Sequence, residues 1–154
     1  MKEILIKQIK FEYWANTELL TSLKKANPLD ERALLLFSHL LSSGNMWISR
    51  LNALPITVTL FQERTLAECE ELLKVNTEGL LKYLQNASEE ELNRIVEFIF
   101  PLDGSKKRIR VYDSILHVVH HSSYHRGQIV TRLKGSVEPL PFVTYIAYAT
   151  EHID

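Results

Sequence analysis

The sequence has little cysteine, no long apolar run and no excess of basic charge, and each absence excludes a class of protein. Its one cysteine, Cys69, cannot form a disulfide within the chain, so a reducing, cytoplasmic environment is expected. No stretch approaches the roughly 18 apolar residues of a membrane span, and the charges that recur from Lys7 to Glu12 are not typical of a signal peptide. A formal net charge of −1 without a basic stripe argues against a nucleic-acid partner.

The length and composition are those of one globular domain. The chain has 154 residues, of which 45% are apolar and 24% are charged, and such a chain buries a core without disulfides. No internal repeat, low-complexity tract or linker divides it. We therefore predict a single domain over residues 1–154.

Four long helical patterns predict an all-α fold. Apolar residues recur at helical spacing in each pattern, over residues 2–25, 27–52, 65–86 and 112–134. Asn27 before Pro28 is typical of a helix start. Thr65 with Glu68 has the pattern of a capping box, and Gly135 is typical of the residue that follows a helix.

Two β-like segments interrupt the helical pattern before the fourth helix. Residues 95–100 and 106–111 flank Asp103–Gly104, a hairpin signal, so we predict a β-hairpin inserted between the third and fourth helices. Ser88 followed by three glutamates predicts a short helical turn ahead of the hairpin. Residues 142–150 are predicted to form a last short helix that covers the others.

The first helix carries two polar residues on its apolar side. Glu12 and Asn16 fall on the same side as the apolar positions, which are Leu5, Ile9, Tyr13, Leu20 and Leu23. They either mark a partly exposed edge of the helix or form a polar site in the core, where each needs a hydrogen-bonding partner. The pattern alone favours neither interpretation.

Histidines are concentrated in the fourth helix. His117, His121 and His125 are spaced four residues apart and share one face, and His120 lies beside them. Two histidines one turn apart, a rise of about 6 Å, can bind the same ion, whereas the outer two lie about 12 Å apart and cannot. The spacing therefore leaves two candidate pairs, 117/121 and 121/125.

A stable metal site needs a third ligand, and His39 in the second helix is the candidate. A lone histidine on an apolar face is more often a satisfied core residue than a ligand. The histidines of the fourth helix also fit a hydrogen-bonded core network or an exposed stripe. Apolar residues flank this stripe, which favours a buried helix and hence groups that satisfy the histidines.

Three motifs carry a resemblance to a known family. The fourth helix contains His117-Val-Val-His-His-Ser-Ser-Tyr-His-Arg-Gly-Gln128, of which the last five residues are the most recognisable part. The second helix contains Ser38-His39-Leu-Leu41 followed by Trp47, and the first contains Tyr13-Trp-Ala-Asn16. In this order the motifs resemble the signature of the DinB family, and with the hairpin they cover nearly the whole chain.

The resemblance implies a four-helix bundle of up-down-down-up type, often dimeric, that binds one divalent metal ion. It implies His39, His121 and His125 as the ligands and leaves His117 and His120 in supporting or structural roles. Zinc, nickel and iron are the candidate metals. Related families include transferases and isomerases that work with low-molecular-weight thiols, so a thiol or another small molecule is an expected partner.

The chain departs from the family pattern at two carboxylate positions. Many relatives have a Glu about five residues after the second-helix histidine, where this chain has Gly44. Relatives also tend to have an Asp in a Pro-x-Thr-Asp segment, where this chain reads Pro141-Phe-Val-Thr144-Tyr. Both losses remove groups that orient ligands or transfer protons, so they bear on catalysis more than on metal binding.

Three functions are compatible with these features. Three neutral imidazoles leave a divalent ion with an open position, where a bound water or thiol becomes acidic, as in a hydrolase or a thiol S-transferase. Glu12 is the one candidate general base, and Cys69 is a poor nucleophile because glutamates surround it in the sequence. The alternatives are a non-catalytic metal-binding or stress-associated protein and an interaction module with structural histidines.

Further expectations concern the surroundings of the site and the assembly. Glu12, Asn16 and Gln128 are the polar groups available to hydrogen-bond a ligand ring. The back of the fourth helix is apolar and carries Ser123 and Gly127, small residues one turn apart. They serve either helix packing inside the bundle or a two-fold homodimer with this face or a neighbouring one at the contact. The alternative is a monomer in which residues 140–148 cover that face.

Overall fold

The computed structural model describes residues 1–150, and these residues are mostly helical. The elements are, in order, α1 (Lys2–Lys25), α2 (Glu31–Leu51), α3 (Leu66–Asn86), α4 (Glu89–Asn93), β1 (Ile95–Ile99), β2 (Lys106–Arg110), α5 (Val111–Arg132) and α6 (Tyr145–Ala149). The four predicted long helices are confirmed as α1, α2, α3 and α5. Within the described range, no helix is both long and apolar enough to cross a bilayer. The last four residues of the predicted domain, 151–154, lie outside the described residues.

The long helices bury two apolar clusters with a polar layer between them. Helices α1 and α2 each contact both α3 and α5. One cluster contains Leu5, Trp47, Leu80, Leu84 and Val118, and the other contains Leu19, Phe37, Leu40, Leu73 and Ile129. Each of these burials contributes about 1.5–3 kcal/mol. Between the clusters each helix places one or more buried polar residues, including Asn16, Ser43, Asn76 and Arg126.

The second helix begins three residues later than the sequence predicted. The N-cap is Asp30, and its Oδ1 accepts a hydrogen bond from the backbone N–H of Ala33 at 2.7 Å. The same oxygen accepts from Nε of Arg132 at 2.8 Å, which ties the start of α2 to the end of α5. Asn27 is not the cap, because its backbone N–H donates to the carbonyl of Ser136 instead.

The capping box and the hairpin are confirmed. The Thr65 side chain accepts from the N–H of Glu68, and the Glu68 carboxylate accepts from the N–H of Thr65. Strands β1 and β2 pair antiparallel, and Phe98 lies opposite Lys107. Gly104 in the loop has φ +69° and Gly135 after α5 has φ +83°, values that favour glycine.

The short last helix packs on α1 through aromatic side chains. The ring centroid of Phe11 lies 5.1 Å from that of Tyr145 and 5.7 Å from that of Tyr148. Tyr13 was predicted on the buried side of this helix, but it is 44% exposed. The prediction is wrong because Phe11, Glu12 and Ala15 occupy the buried face instead.

Candidate metal centre

Three histidines meet between α2 and α5. His39 lies on α2, and His121 and His125 lie one turn apart on α5. The Nε2 atom of His121 is 3.1 Å from Nε2 of His39 and 3.2 Å from Nε2 of His125. One ring nitrogen from each residue lies within 4.8 Å of the other two. Of the two histidine pairs that the spacing allowed, the structure joins 121/125 to His39.

The spacing of these nitrogens suits a shared ion. Two imidazole nitrogens that each lie about 2.0–2.1 Å from one tetrahedral zinc ion are separated by about 3.3 Å. The two short Nε2–Nε2 distances, 3.1 and 3.2 Å, are close to that value. The cluster therefore needs little rearrangement to hold a first-row divalent metal.

Hydrogen bonds on the far side of two rings determine which nitrogen carries the proton. Nδ1 of His39 lies 2.9 Å from the carbonyl oxygen of Leu60, which only accepts, so Nδ1 is the donor. Nδ1 of His125 lies 2.8 Å from Oε1 of Gln128 and donates in the same way. Both Nε2 atoms therefore direct lone pairs at His121. Since His121 has at most one Nε2–H to donate, the three rings alone leave at least one of these lone pairs free, and a cation among them would satisfy it.

A proton does not supply that cation at neutral pH. Burial, followed by the charges of His125 and His39, lowers the pKa of His121 to about 3. Burial also lowers the pKa of His39. Among the described residues, Nδ1 of His121 has no hydrogen-bond partner. The rings of His39 and His121 are therefore neutral near pH 7, which is the form that binds metals.

The loop between α2 and α3 covers one side of the cluster. The ring of Phe61 stacks on that of His39, with centroids 4.1 Å apart and planes inclined by 6°. Arg64 holds this loop by donating to the hydroxyls of Ser38 and Ser42, each at 2.7 Å. These contacts were not predictable from the sequence, because the loop has no periodic pattern.

A buried ion pair lies in the polar layer beside the histidines. Arg126 is 2% exposed, and its NH1 lies 2.6 Å from Oε2 of Glu12 and 2.9 Å from Oδ1 of Asn16. Its NH2 donates to the hydroxyl of Ser123 at 2.7 Å. Glu12 and Asn16 are thus core residues, which decides between the two interpretations of α1. Arg126 was missed, although two buried polar acceptors on α1 implied a donor on another helix.

The three expected hydrogen-bonding residues have different partners. Gln128 contacts the His125 ring, as predicted. Glu12 does not serve as a base at the histidines, because its carboxylate binds Arg126 and accepts from Asn16 at 2.8 Å. Asn16 also contacts Arg126 and not a histidine, so Gln128 is the residue that fulfils the prediction that at least one of the three contacts a ligand ring.

The other two histidines of α5 lie outside the cluster. The ring of His117 is 5.4 Å from that of His121, centroid to centroid. Desolvation, followed by the charge of Arg50, lowers the pKa of His117, so it is neutral near pH 7. Both residues are exposed to solvent, and His117 is the one whose ring adjoins a clustered histidine. His117 is therefore placed to act beside the cluster, and His120 is not.

The structure also explains two other positions from the sequence analysis, Gly44 and Cys69. A Cβ at Gly44 would lie 3.3 Å from Nδ2 of Asn76, which donates to the carbonyl of Leu41 at 2.8 Å. Asn76 thus approaches α2 closely at Gly44. Cys69 is fully buried, and that burial raises the pKa of its thiol to about 11, so it is not a nucleophile.

Comparison with known proteins identifies the family. The DinB family matches residues 12–150, which include all three motifs and the three clustered histidines. A search of curated proteins and a search of solved structures each give no match. The match covers well over half of the chain. The chain therefore belongs to the DinB family.

Proposed function

We propose that the protein binds one divalent transition-metal ion through His39, His121 and His125. The observation that carries this proposal is the convergence of three Nε2 atoms, two of which have their lone pairs directed inward by partners on the far side of the ring. Zinc, nickel and iron are the candidates, since imidazole suits each of them and affinity alone does not select one.

The architecture of the site accords with the fold implied by family membership. We infer that α1, α2, α3 and α5 form a four-helix bundle of up-down-down-up type within a single domain. The observed contacts of α1 and α2 with both other long helices support this inference. The two apolar clusters on either side of the polar layer then hold α2 and α5 at the separation that the histidines need.

We further propose a metal-dependent enzyme, with a thiol S-transferase-like or hydrolase-like reaction. A divalent ion with three neutral imidazole ligands supplies a Lewis acid with an open position. His117 is the residue available to accept a proton, since it adjoins His121 and its lowered pKa keeps it neutral. Arg126, paired with Glu12, fixes α5 against α1 and so holds the ligand pair in place.

A second candidate is a non-catalytic metal-binding or stress-associated protein. The stacking of Phe61 on His39 favours it, because this ring closes one approach to the cluster. A groove of about 710 Å³ lies elsewhere, lined by residues that include Leu29, Arg32, Glu63 and Arg64 and by no histidine. Open access for a substrate at the histidines therefore decides between the two functions.

Cobalt substitution tests both the ligand set and the access. Co²⁺ bound by three histidines with an open position gives visible d–d bands that change when a small thiol such as 2-mercaptoethanol is added. A spectrum that appears with Co²⁺ and shifts with thiol supports the enzyme. A spectrum that appears but does not shift supports the non-catalytic protein, and the absence of any cobalt spectrum contradicts metal binding.

A further inference from the structure

Arg50 is a half-buried cation that lies on an aromatic surface near the histidine cluster. Its guanidinium carbon is 4.8 Å from the ring centroid of Trp47 and 5.3 Å from that of Phe98. Burial lowers the pKa of Arg50, so its charge is partly desolvated. Stacking on rings compensates only part of that cost, since ring faces accept no full hydrogen bonds from a guanidinium.

No carboxylate among residues 1–150 pairs with Arg50. Arg94, Arg126 and Arg132 do have such partners. Of the other arginines, Arg64 and Arg110 donate to uncharged oxygens, and Arg32 and Arg108 are exposed to solvent. A desolvated guanidinium whose N–H groups lack an acceptor gains more from an added anion than a solvated one. Arg50 combines partial burial with the lack of a hydrogen-bond or ion-pair partner among residues 1–150, which suits the binding of an added anion.

The β-hairpin brings a second cation to the same surface. Lys107 lies opposite Phe98 across the strands, and its Nζ is 5.8 Å from the ring centroid of Phe100. The rings of Trp47 and Phe98 are 5.1 Å apart, so the inward face of the hairpin continues the aromatic surface of α2. Two cations thus lie along one apolar wall, an arrangement that suits a small molecule with an apolar body and an anionic end.

This surface is continuous with the histidine cluster. The ring of His117 is 5.8 Å from that of Trp47 and 5.4 Å from that of His121. Along α2, Arg50 is three turns from His39, a rise of about 16 Å, and its side chain folds back over Trp47. The distance between the cation and the cluster is therefore that of an extended small molecule.

We propose that Arg50 and Lys107 bind the anionic end, a carboxylate or a phosphate, of a small molecule whose other end reaches the three histidines. This proposal names the substrate class of the proposed enzyme. It rests on the proposed function only for the end of the molecule that reaches the histidines. The anion site itself needs no metal. It also assigns a role to the hairpin, which supplies Phe98 and Lys107 to the substrate surface.

Tryptophan fluorescence tests the anion site independently of metal. Trp14→Phe leaves Trp47 as the one tryptophan, and Trp47 lies directly under the guanidinium. In the full-length protein as purified, we expect hexanoate or hexyl phosphate to change this fluorescence, and hexanol to have a much smaller effect. The stronger of the two anions identifies the headgroup. Equal responses to hexanol and to both anions overturn the proposal.

Variants at the cations supply the decisive comparison. Arg50→Gln should weaken binding of the preferred anion about tenfold or more, because one charge-assisted interaction is lost, and Arg50→Lys should retain part of it. Lys107→Gln should weaken it less. Lys106→Gln is the matched control, since Lys106 is the adjacent residue and points to the other face of β2. Unchanged binding in both Arg50→Gln and Lys107→Gln overturns the proposal even if one variant folds poorly.

A last arm separates this proposal from metal binding. Cobalt-loaded protein is titrated with mercaptopropionate, mercaptohexanoate, mercaptoundecanoate and the neutral mercaptoundecanol. If both proposals hold, a long mercaptocarboxylate perturbs cobalt at a lower concentration than the alcohol, and Arg50→Gln removes the difference. Loss of the cobalt signal with an intact hexanoate response means that metal binding fails and the anion site stands. If the mercaptocarboxylate and the mercaptoalcohol perturb an intact cobalt signal at the same concentration, metal binding stands and the anion site fails.

Discussion

At the scale of single residues, one buried arginine and one glutamine determine how the histidines are presented. Arg126 neutralises Glu12 in the polar layer, where an unpaired charge is costly. Gln128 accepts from His125 and so turns the Nε2 lone pair of that ring inward. The first contact fixes the position of α5, and the second fixes the ring.

Removing one partner of the buried pair should be far more damaging than removing both. Arg126→Met leaves the Glu12 carboxylate buried without its counter-ion, so we expect a loss of about 3–5 kcal/mol in the free energy of unfolding. Glu12→Leu combined with Arg126→Met should recover much of that loss. Urea unfolding followed by circular dichroism measures both, and a double variant less stable than Arg126→Met contradicts the assignment.

Gln128 should tune metal affinity without being a ligand. Gln128→Leu removes the acceptor for His125 Nδ1–H, and loss of such a partner typically weakens metal binding about 10–100-fold. Gln128→Glu keeps an acceptor at the same place and should bind at least as tightly as the wild type. Competition for zinc with a chromophoric chelator gives the affinities. Equal affinity in the Leu and Glu variants would show that this hydrogen bond has no part in binding.

At the scale of helices and loops, local signals were predictable from sequence and distant contacts were not. The capping box at Thr65 and the periodic stripes involve residues within a few positions of each other, so the bounds of α1 and α3 followed from the sequence. The start of α2 did not, because Arg132, 102 residues away, favours Asp30 over Asn27.

The candidate site likewise has residues that the sequence predicted and residues that it did not. Spacing reduced the histidines of α5 to two pairs, and the family resemblance selected His121 and His125 with His39. The contribution of Leu60 was not predictable, because a backbone carbonyl in an irregular loop has no sequence pattern. The role of Arg126 depends on Glu12, 114 residues away, and emerges only when the helices are packed.

The cap of α2 should show a pH-dependent stability. Asp30→Ala removes both the cap and the ion pair and should cost about 1–2 kcal/mol, mostly from the cap, while Asp30→Asn keeps a capping oxygen and should cost less. The hydrogen bond from Arg132 lowers the folded-state pKa of Asp30. The ion-pair contribution is therefore present above the ordinary Asp pKa of about 3.9 and is lost as pH falls through the lowered value.

Denaturant unfolding of the wild type and Asp30→Asn at pH 7 and at progressively lower pH measures this contribution. The difference between them should be small at pH 7, since Arg132 is 43% exposed and solvent screens the pair. It should shrink further toward acid pH. If the difference in free energy of unfolding between the two proteins grows as pH falls, the pKa of Asp30 is not lowered in the folded state.

At the scale of the whole molecule, we propose that two chains associate through the back of α5. Ser123 and Gly127 are exposed there, and a Cβ at Gly127 would meet nothing within 4 Å in the same chain. Helix α6 contacts α1, so it is not established as a cover for that face. A close helix contact at small residues then suits a two-fold dimer.

The dimer predicts a clear effect of one substitution. Gly127→Arg fits the isolated chain but blocks the contact, so it should give a folded monomer where the wild type is a dimer. Sedimentation equilibrium at micromolar concentration distinguishes a mass near 17.9 kDa from twice that value. Ser136→Arg, outside α5, is the control and should remain dimeric. A wild type that sediments as a monomer contradicts the proposal.

Metal content is the most direct test of the central claim that three converging histidines form a metal centre. Purified wild type, His121→Ala and the exposed control His120→Ala are incubated with zinc, freed of excess metal by gel filtration and analysed by inductively coupled plasma mass spectrometry. We predict about one ion per chain in the wild type and in His120→Ala, and almost none in His121→Ala, because two imidazoles alone rarely hold zinc. Full metal content in His121→Ala, or none in the wild type, would contradict the account.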